Sequence, residues 1–252
     1  MKKALIIATF GSTHRDALER DLKPVCDHIK NLVPEWETAL AFTSRMVIRR
    51  IESRDGEKFM DEIEAIDYFI SKGYKKEDIY IQPLHLIPGI EYEKLSKHVR
   101  DGVHVGEPLF AHKEDILHFA EKAEDVFCGP AIFVGHGSRH EADEMYISLD
   151  EELKSRGLAM AVSTLEGELT EEPVFDLFER KGWRELNLYP LLLLAGDHAK
   201  NDIAAEKDSY REELEGRGFK VHTSLDGLGT YPFIQKMYGE KLVKLIGESD
   251  HA

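Results

Sequence analysis

Short apolar runs alternate with helix-like stripes along almost the whole chain, and this alternation limits the folds that it can adopt. Residues 4–10 form the first run, whose β-branched and apolar side chains are typical of a strand buried on both faces. Residues 18–32 follow with apolar positions at helical spacing, although Pro24 predicts a kink or a restart. Repeated β-α units imply parallel sheets with right-handed crossovers, so the sequence predicts an α/β fold.

The same alternation continues toward the end of the chain. Further strands are predicted at 39–43, 79–84, 104–109, 131–134, 158–164, 185–194 and 220–224. Further helices are predicted around the apolar stripes at 59–70, 116–123, 145–153, 174–178, 203–214 and 233–245. Gly73, Gly157 and Gly182 each follow one of these stripes, and glycine commonly ends a helix at that position.

The two halves of the chain resemble each other, since 6–12 aligns with 132–138 and 81–89 aligns with 188–196. We therefore predict two similar Rossmann-like α/β domains, each a parallel sheet flanked by helices, that face each other across a cleft. The turn signal Gly129-Pro130 places the boundary between domains 1–128 and 129–229. The last helix, at about 230–248, is expected to return to the first domain.

Charge and cysteine content exclude several classes of function. Of 252 residues, 33 are lysine or arginine and 48 are acidic, which gives a net charge of −15. We therefore expect no nucleic-acid partner, because phosphate contacts need a basic face. The first apolar run is too short for a membrane span and lacks a cleavage site, so we expect no membrane partner and a cytoplasmic location. Cys26 and Cys128 are expected to be reduced thiols.

Three strand-like segments end in a polar side chain beside a glycine. His136 lies between Gly135 and Gly137, Glu166 precedes a glycine, and His198 follows an Ala-Gly-Asp turn. The carboxyl ends of parallel strands open onto one crevice, and imidazole with carboxylate suits a divalent transition metal. Each residue alone has a plainer explanation, respectively a tight turn, a helix cap and a helix start.

Other polar groups point less clearly to a function. Ser138 after Gly-His-Gly is not a nucleophile elbow, and the glycines form no dinucleotide fingerprint, so we expect no nucleotide cofactor. Arg45 opens a basic segment that either binds substrate carboxylates or forms a solvated helix face. His85 belongs to a strand and either faces the cleft or packs in the core.

Taken together, these residues resemble the class II tetrapyrrole chelatases, most closely the anaerobic cobalt chelatases of cobalamin biosynthesis. The resemblance covers nearly the whole chain and is most specific over 195–202. It also includes 10–12, 41–44, 82–85, 106–109, 135–137 and 166–167. It implies two similar α/β domains around a tetrapyrrole cleft, with His136, Glu166 and His198 as metal ligands.

The resemblance implies insertion of Co²⁺ into sirohydrochlorin, or into its precorrin-2 form. Because the sequence has no nucleotide-binding loop, we expect that this insertion needs no ATP. His136 would also accept a pyrrole proton, and Glu91, which aligns with His198 in the internal repeat, is a second candidate catalytic group. The candidate substrate-binding residues are Phe10, Gly11, Ser12, Arg45, His85, Gly135, Gly137 and Ser138. Two alternatives stay open, namely Fe²⁺ insertion for sirohaem and a non-catalytic metal or haem carrier. A homo-oligomer is compatible with either.

Overall fold

A computed structural model describes residues 2–249 and divides into two compact units. Among these residues, the first unit contains 2–111 and 229–249, and the second unit is His112–Leu228. Each unit contains a four-stranded parallel sheet flanked by helices, which confirms the predicted α/β class. No helix among residues 2–249 is long and apolar enough to cross a membrane.

The first unit has the strand order β2-β1-β3-β4. Its strands are β1 (Ala4–Thr9), β2 (Glu37–Phe42), β3 (Ile79–Pro83) and β4 (His104–Val105). Its helices are α1 (Arg15–Ala17), α2 (Lys23–Leu32), α3 (Arg45–Asp55), α4 (Glu62–Ser71), α5 (Ile90–Ser96) and α10 (Pro232–Ser249). It also has a π-helical turn (Leu18–Leu22) and 3₁₀ turns (Lys76–Asp78 and Lys97–Asp101).

The second unit has the strand order β6-β5-β7-β8. Its strands are β5 (Ala131–Gly135), β6 (Met160–Thr164), β7 (Glu185–Leu191) and β8 (Lys220–Thr223). Its helices are α6 (Lys113–Val126), α7 (Glu144–Ser155), α8 (Glu171–Arg180) and α9 (Tyr210–Gly216). It also has a 3₁₀ turn (Glu141–Asp143) and a π-helical turn (Ala199–Ile203), and a 3₁₀ turn (Leu228–Thr230) follows it.

Helix α6 lies with the second unit, whereas the sequence placed it in a first domain that ran to residue 128. The reason is aromatic packing, because Phe119 of α6 meets Phe127, just after the helix, and Phe133 of β5. Ring centroids are 6.0 Å apart for the Phe119–Phe133 pair, in an edge-to-face arrangement that aromatic rings favour. Helix α10 packs against α2 of the first unit.

Pro24 is the second residue of α2, which continues directly from a π-helical turn, so the missing N–H of proline falls inside a continuous helical stretch. The helical stretch before it widens into the π-helical turn that precedes α2. A π turn inside a helix commonly bends it. The interruption expected at Pro24 thus occurs just before it.

Each unit has its own apolar core on its sheet. In the first unit every side chain of β1 is buried, as a central strand covered on both faces requires. The core cluster of the second unit includes Phe175, Phe178 and Leu188, each without exposed surface. Burial of one such side chain contributes about 1.5–3 kcal/mol, so the two sheets are stable platforms for the loops at their carboxyl ends.

The internal repeat extends to the strand register. The central strand pairs Ala8 with Pro83 in the first unit and Val134 with Pro190 in the second. These partners are the residues that the sequence alignment of the two halves makes equivalent. The loops that leave the two central strands therefore start from the same place in each sheet.

Candidate functional site

His136 follows β5 directly and is half-buried. Its Nδ1 lies 2.9 Å from the carbonyl oxygen of Gly137. Because a carbonyl can only accept a hydrogen bond, Nδ1 carries the proton and Nε2 keeps its lone pair. His136 can thus offer Nε2 as a metal ligand or as a proton acceptor.

His198 lies against His136, although the two residues are 62 positions apart in the sequence. Their ring centroids are 4.6 Å apart and the ring planes are perpendicular. His198 Nδ1 lies 2.7 Å from a carboxylate oxygen of Asp202, in the π-helical turn that His198 precedes. The loops after β5 and β7 therefore bring two imidazoles into contact.

Glu166 is linked to His136 through the backbone, because its amide donates to the His136 carbonyl at 2.8 Å. Its side chain is exposed and lines the same pocket as His198. Within residues 2–249, no three His, Cys, Asp or Glu side chains gather into a cluster that could hold a metal ion. The structure thus brings the two histidines together and leaves the Glu166 carboxylate on the pocket wall.

The pocket beside His198 has a volume of about 690 Å³ and is strongly acidic. Its walls are Leu165, Glu166, Glu171, His198, Asp202, Asp208, Ser209, Tyr210, Glu212 and Glu213. Six of these ten residues carry a carboxylate, so the pocket attracts cations and disfavours anions.

The loop that contains His136 crosses the loop that contains Glu166, and a glycine in each loop allows the two backbones to touch. Gly137 has a φ of +72°, and a Cβ there would lie 2.5 Å from the amide nitrogen of Gly167. A Cβ on Gly167 would lie 2.2 Å from a carboxylate oxygen of Asp143. Both distances are shorter than any real Cβ contact, so only glycine fits at either position.

Asp143 is a residue that sequence reasoning missed. It accepts a hydrogen bond from the Ser138 hydroxyl at 2.9 Å, and its other carboxylate oxygen is buried without a hydrogen-bond partner among the described residues. Its side chain thus lies beside both of the loops that cross. No pattern marks it in the sequence, where it stands among several acidic neighbours.

The loop after β1 repeats the geometry of the loop after β5. Gly11 has a φ of +89°, and its counterpart Gly137 also has a left-handed backbone conformation. Ser12 and Ser138 each accept a hydrogen bond, at 3.1 Å, from the backbone amide two residues later. Phe10 takes the place of the imidazole and is 45% exposed. The first unit thus presents an aromatic face at the equivalent position.

Arg45 is held within the first unit. Its guanidinium donates two hydrogen bonds to Glu62, at 2.5 and 2.6 Å, and a third to the Thr43 carbonyl at 2.9 Å. The bonds with Glu62 raise the pKa of Arg45. The fork that would bind a substrate carboxylate is therefore occupied by Glu62.

His85 lies just beyond β3 and is neutral at pH 7. Its Nε2 lies 3.3 Å from the Thr43 hydroxyl, and its buried Nδ1 has no hydrogen-bond partner among residues 2–249. Burial, assisted by the positive charge of Lys94, lowers the pKa of His85 from 6.5 to about 4. Protonation of this ring would place an unpaired charge in a poorly solvated position.

Glu91 lies in the first turn of α5 and forms an ion pair with Lys94. Its second carboxylate oxygen is buried without a partner among the described residues. Gly89 and Gly196 each accept a hydrogen bond from the amide four residues later, at 3.0 and 3.2 Å. Glu91 and His198 thus follow equivalent helix starts in their own units, as the alignment of the halves implied.

The depressed pKa of His85 predicts that acid destabilises the protein. Between pH 6.5 and 4 the unfolded chain binds a proton at this residue that the folded chain does not, so stability falls as the pH falls through that window. Urea unfolding of the wild type should lose about 2 kcal/mol more between pH 7 and 5 than that of His85→Gln. His222→Gln, at an exposed histidine, is the control, and equal losses in wild type and His85→Gln would contradict the prediction.

The chain is similar to known proteins over almost its whole length. The family described as cobalt chelatase (CbiK) matches residues 3–247. A sirohydrochlorin cobaltochelatase of Salmonella typhimurium is 30% identical over 250 residues, which cover 94% of each chain. A second relative, sirohydrochlorin cobaltochelatase CbiKC of Nitratidesulfovibrio vulgaris, is 26% identical over 268 residues, or 99% of this chain and 92% of the relative.

One solved structure supports the fold alone. SirB from Bacillus subtilis with Fe³⁺ superposes with a TM-score of 0.66 at 14% identity. The match covers 100% of this chain and 98% of that chain.

Proposed function

Because the chain belongs to the cobalt chelatase (CbiK) family, we propose that it is a metal chelatase that inserts Co²⁺ into sirohydrochlorin without ATP. The family match confirms the resemblance found in the sequence. The observation that carries the proposal is the contact between His136 and His198, whose rings meet at the carboxyl end of a parallel sheet. Both rings have Nδ1 engaged, which leaves Nε2 of each for the substrate cation.

His136, His198 and Glu166 are the proposed ligands of the entering Co²⁺. Two imidazoles and one carboxylate suit this ion, and fewer than four protein ligands leave room for departing water and for the macrocycle. The Glu166 carboxylate is exposed and must turn toward the histidines to complete the set. An incompletely assembled site fits a protein that has to release its metal into a product.

Insertion also removes two protons from the pyrrole nitrogens of the macrocycle. His136 is the proposed acceptor on the metal side, because its Nε2 lone pair becomes available for a pyrrole proton once the cobalt ion has passed to the macrocycle. Glu91 is proposed as a second acceptor for two reasons. One of its carboxylate oxygens has no hydrogen-bond partner among the described residues, and its position in the first unit is equivalent to that of His198 in the second. The two proton transfers would then use different groups.

Phe10, Gly11 and Ser12 are proposed to contact sirohydrochlorin from the first unit, and Gly135, Gly137 and Ser138 from the second. The exposed Phe10 ring offers an apolar surface to a conjugated macrocycle. The glycines allow the backbone to approach the ligand closely. Arg45 can contact the substrate only if its ion pair with Glu62 opens. His85 can contact the substrate only if its partly covered ring becomes accessible.

Cobalt is the proposed metal on the strength of the family, because ligand types alone do not separate Co²⁺ from Fe²⁺. We place the reaction in the cytoplasm, in keeping with the free thiols of Cys26 and Cys128.

The function is tested by anaerobic absorbance spectroscopy of sirohydrochlorin with catalytic amounts of the protein. We expect many turnovers of cobalt-sirohydrochlorin with Co²⁺ and without nucleotide, at a rate well above the uncatalysed reaction. Faster turnover with Fe²⁺ would replace cobalt by iron in the proposal. Spectral change that stops at one equivalent of protein would identify a carrier.

Glu91→Gln tests the second proton acceptor, since it keeps the side-chain shape and removes the charge. Turnover should fall about 10²-fold, in the range of a lost general base, while Co²⁺ affinity stays unchanged. Glu93→Gln, an exposed glutamate on the same helix, is the matched control. Full activity in Glu91→Gln would remove this residue from the mechanism.

A further inference from the structure

We propose that Asp202 is a positioning residue that fixes the proton and the direction of the His198 ring; the inference rests on the proposed function of His198. An Asp202 carboxylate oxygen lies 2.7 Å from His198 Nδ1, a short distance for an N–H to carboxylate bond. A carboxylate only accepts, so the proton resides on Nδ1 and the lone pair on Nε2. The bond thereby selects which ring nitrogen faces the metal.

The two histidines of the site are oriented by different acceptors. His136 donates to a neutral carbonyl, that of Gly137, whereas His198 donates to the charged carboxylate of Asp202. A carboxylate behind an imidazole increases its strength as a metal donor and holds the ring in place. Asp202 therefore makes His198 the more strongly supported ligand of the pair.

Burial does not hold the His198–Asp202 pair together. The two side chains are 43% and 45% exposed, and an exposed ion pair contributes little to folding stability. The bond depends on the π-helical turn Ala199–Ile203, which brings the Asp202 side chain beside that of His198, four residues earlier in the chain. Its effect should accordingly be seen in the behaviour of the ring and much less in the stability of the fold.

The same turn supplies a matched control. Asn201 donates to Asp197 at 3.0 Å with the same four-residue spacing and no histidine in the pair. Asn201→Ala thus removes a similar bond from the same segment. A purely structural role of such bonds predicts equal effects for Asn201→Ala and Asp202→Ala.

The experiment measures Co²⁺ binding without sirohydrochlorin, together with ¹⁵N NMR of histidine-labelled protein. Asp202→Ala should weaken Co²⁺ binding by ~10- to 100-fold and shift His198 from the Nδ1–H toward the Nε2–H tautomer. Asp202→Asn, whose amide oxygen can still accept, should retain the Nδ1–H tautomer with a smaller loss of affinity. Asn201→Ala should leave both readouts at the wild-type values, and circular dichroism checks that each variant is folded.

Three outcomes would overturn the proposal. They are unchanged affinity and tautomer in Asp202→Ala, equal losses in Asp202→Ala and Asn201→Ala, and weakened Co²⁺ binding with an unchanged tautomer. The last would make Asp202 itself a metal ligand. Failure of the wild type to metallate sirohydrochlorin would reject the proposed function, and it is distinguishable because neither the affinity nor the tautomer measurement uses the tetrapyrrole.

Discussion

His136→Ala is expected to abolish cobalt insertion while leaving the protein folded. The variant removes a proposed ligand of the entering ion that is also the proposed acceptor for a pyrrole proton. Loss of a general base alone lowers rates by about 10²- to 10⁴-fold, so we expect at least ~10³-fold for the combined loss. The measurement is anaerobic turnover of sirohydrochlorin with Co²⁺, followed by absorbance.

The fold should survive this substitution because the His136 ring is half-buried at the end of β5 and lies outside the apolar core. Urea unfolding and circular dichroism provide the check. His222→Ala is the control, because His222 is an exposed histidine of the same unit. A folded His136→Ala that turns over at nearly the wild-type rate would disprove both roles assigned to this residue.

Gly137→Ala is expected to destabilise the protein strongly, although it adds only one methyl group. The left-handed φ of +72° is strained for alanine, and the new Cβ would lie 2.5 Å from the Gly167 backbone. Strain and overpacking together predict a loss on the order of 3–5 kcal/mol in urea unfolding. Activity should fall as well, because the loops that hold His136 and Glu166 must separate.

Gly157→Ala separates the clash from the backbone strain. Gly157 has nearly the same φ, +73°, but nothing lies within 4 Å of a Cβ at that position. The loss there should be about 1–2 kcal/mol, with normal activity. If the two variants lose equal stability, the close crossing of the loops is not what requires glycine at 137.

Much of the fold follows from local pattern, because buried strands and amphipathic helices leave distinct spacing in the sequence. At the end of β7, the local pattern does not predict the structure. Four leucines predicted a strand to residue 194, yet β7 ends at Leu191 and the next leucines alternate between half-buried and buried positions in a loop. Hydrophobicity reports burial, and it does not say whether the buried backbone is extended.

The assignment of α6 could not be predicted for a similar reason. Its apolar stripe shows that one side of the helix is covered, but the face of either sheet would satisfy that pattern. Helix α6 belongs to the second unit because Phe119 contacts Phe133. The helical stripe of α6 and the apolar run of β5 do not indicate this contact, which forms only when the helix packs on the strand. Predicting it would require the packing itself.

Part of the candidate site could be predicted from the sequence, because polar residues beside glycines at the ends of strands form a recognisable local pattern. His136 and His198 could be proposed from that pattern, and the structure brings their rings together. Asp143 and Asp202 carry no such mark, since their importance depends on hydrogen-bond partners chosen by loop geometry. Arg45 had two interpretations for the same reason, as nothing in the sequence names Glu62 as its partner.

The repeated loops have a consequence for the redesign of this chain. The turn after β1 preserves the left-handed glycine and the serine hydrogen bond of the turn after β5, with Phe10 in place of the imidazole. The first unit therefore has the backbone of the His136 turn without its imidazole. Scaffold and chemistry are thus separable in this protein, and exchanging a single residue at position 10 grafts an imidazole onto a backbone already shaped to hold it.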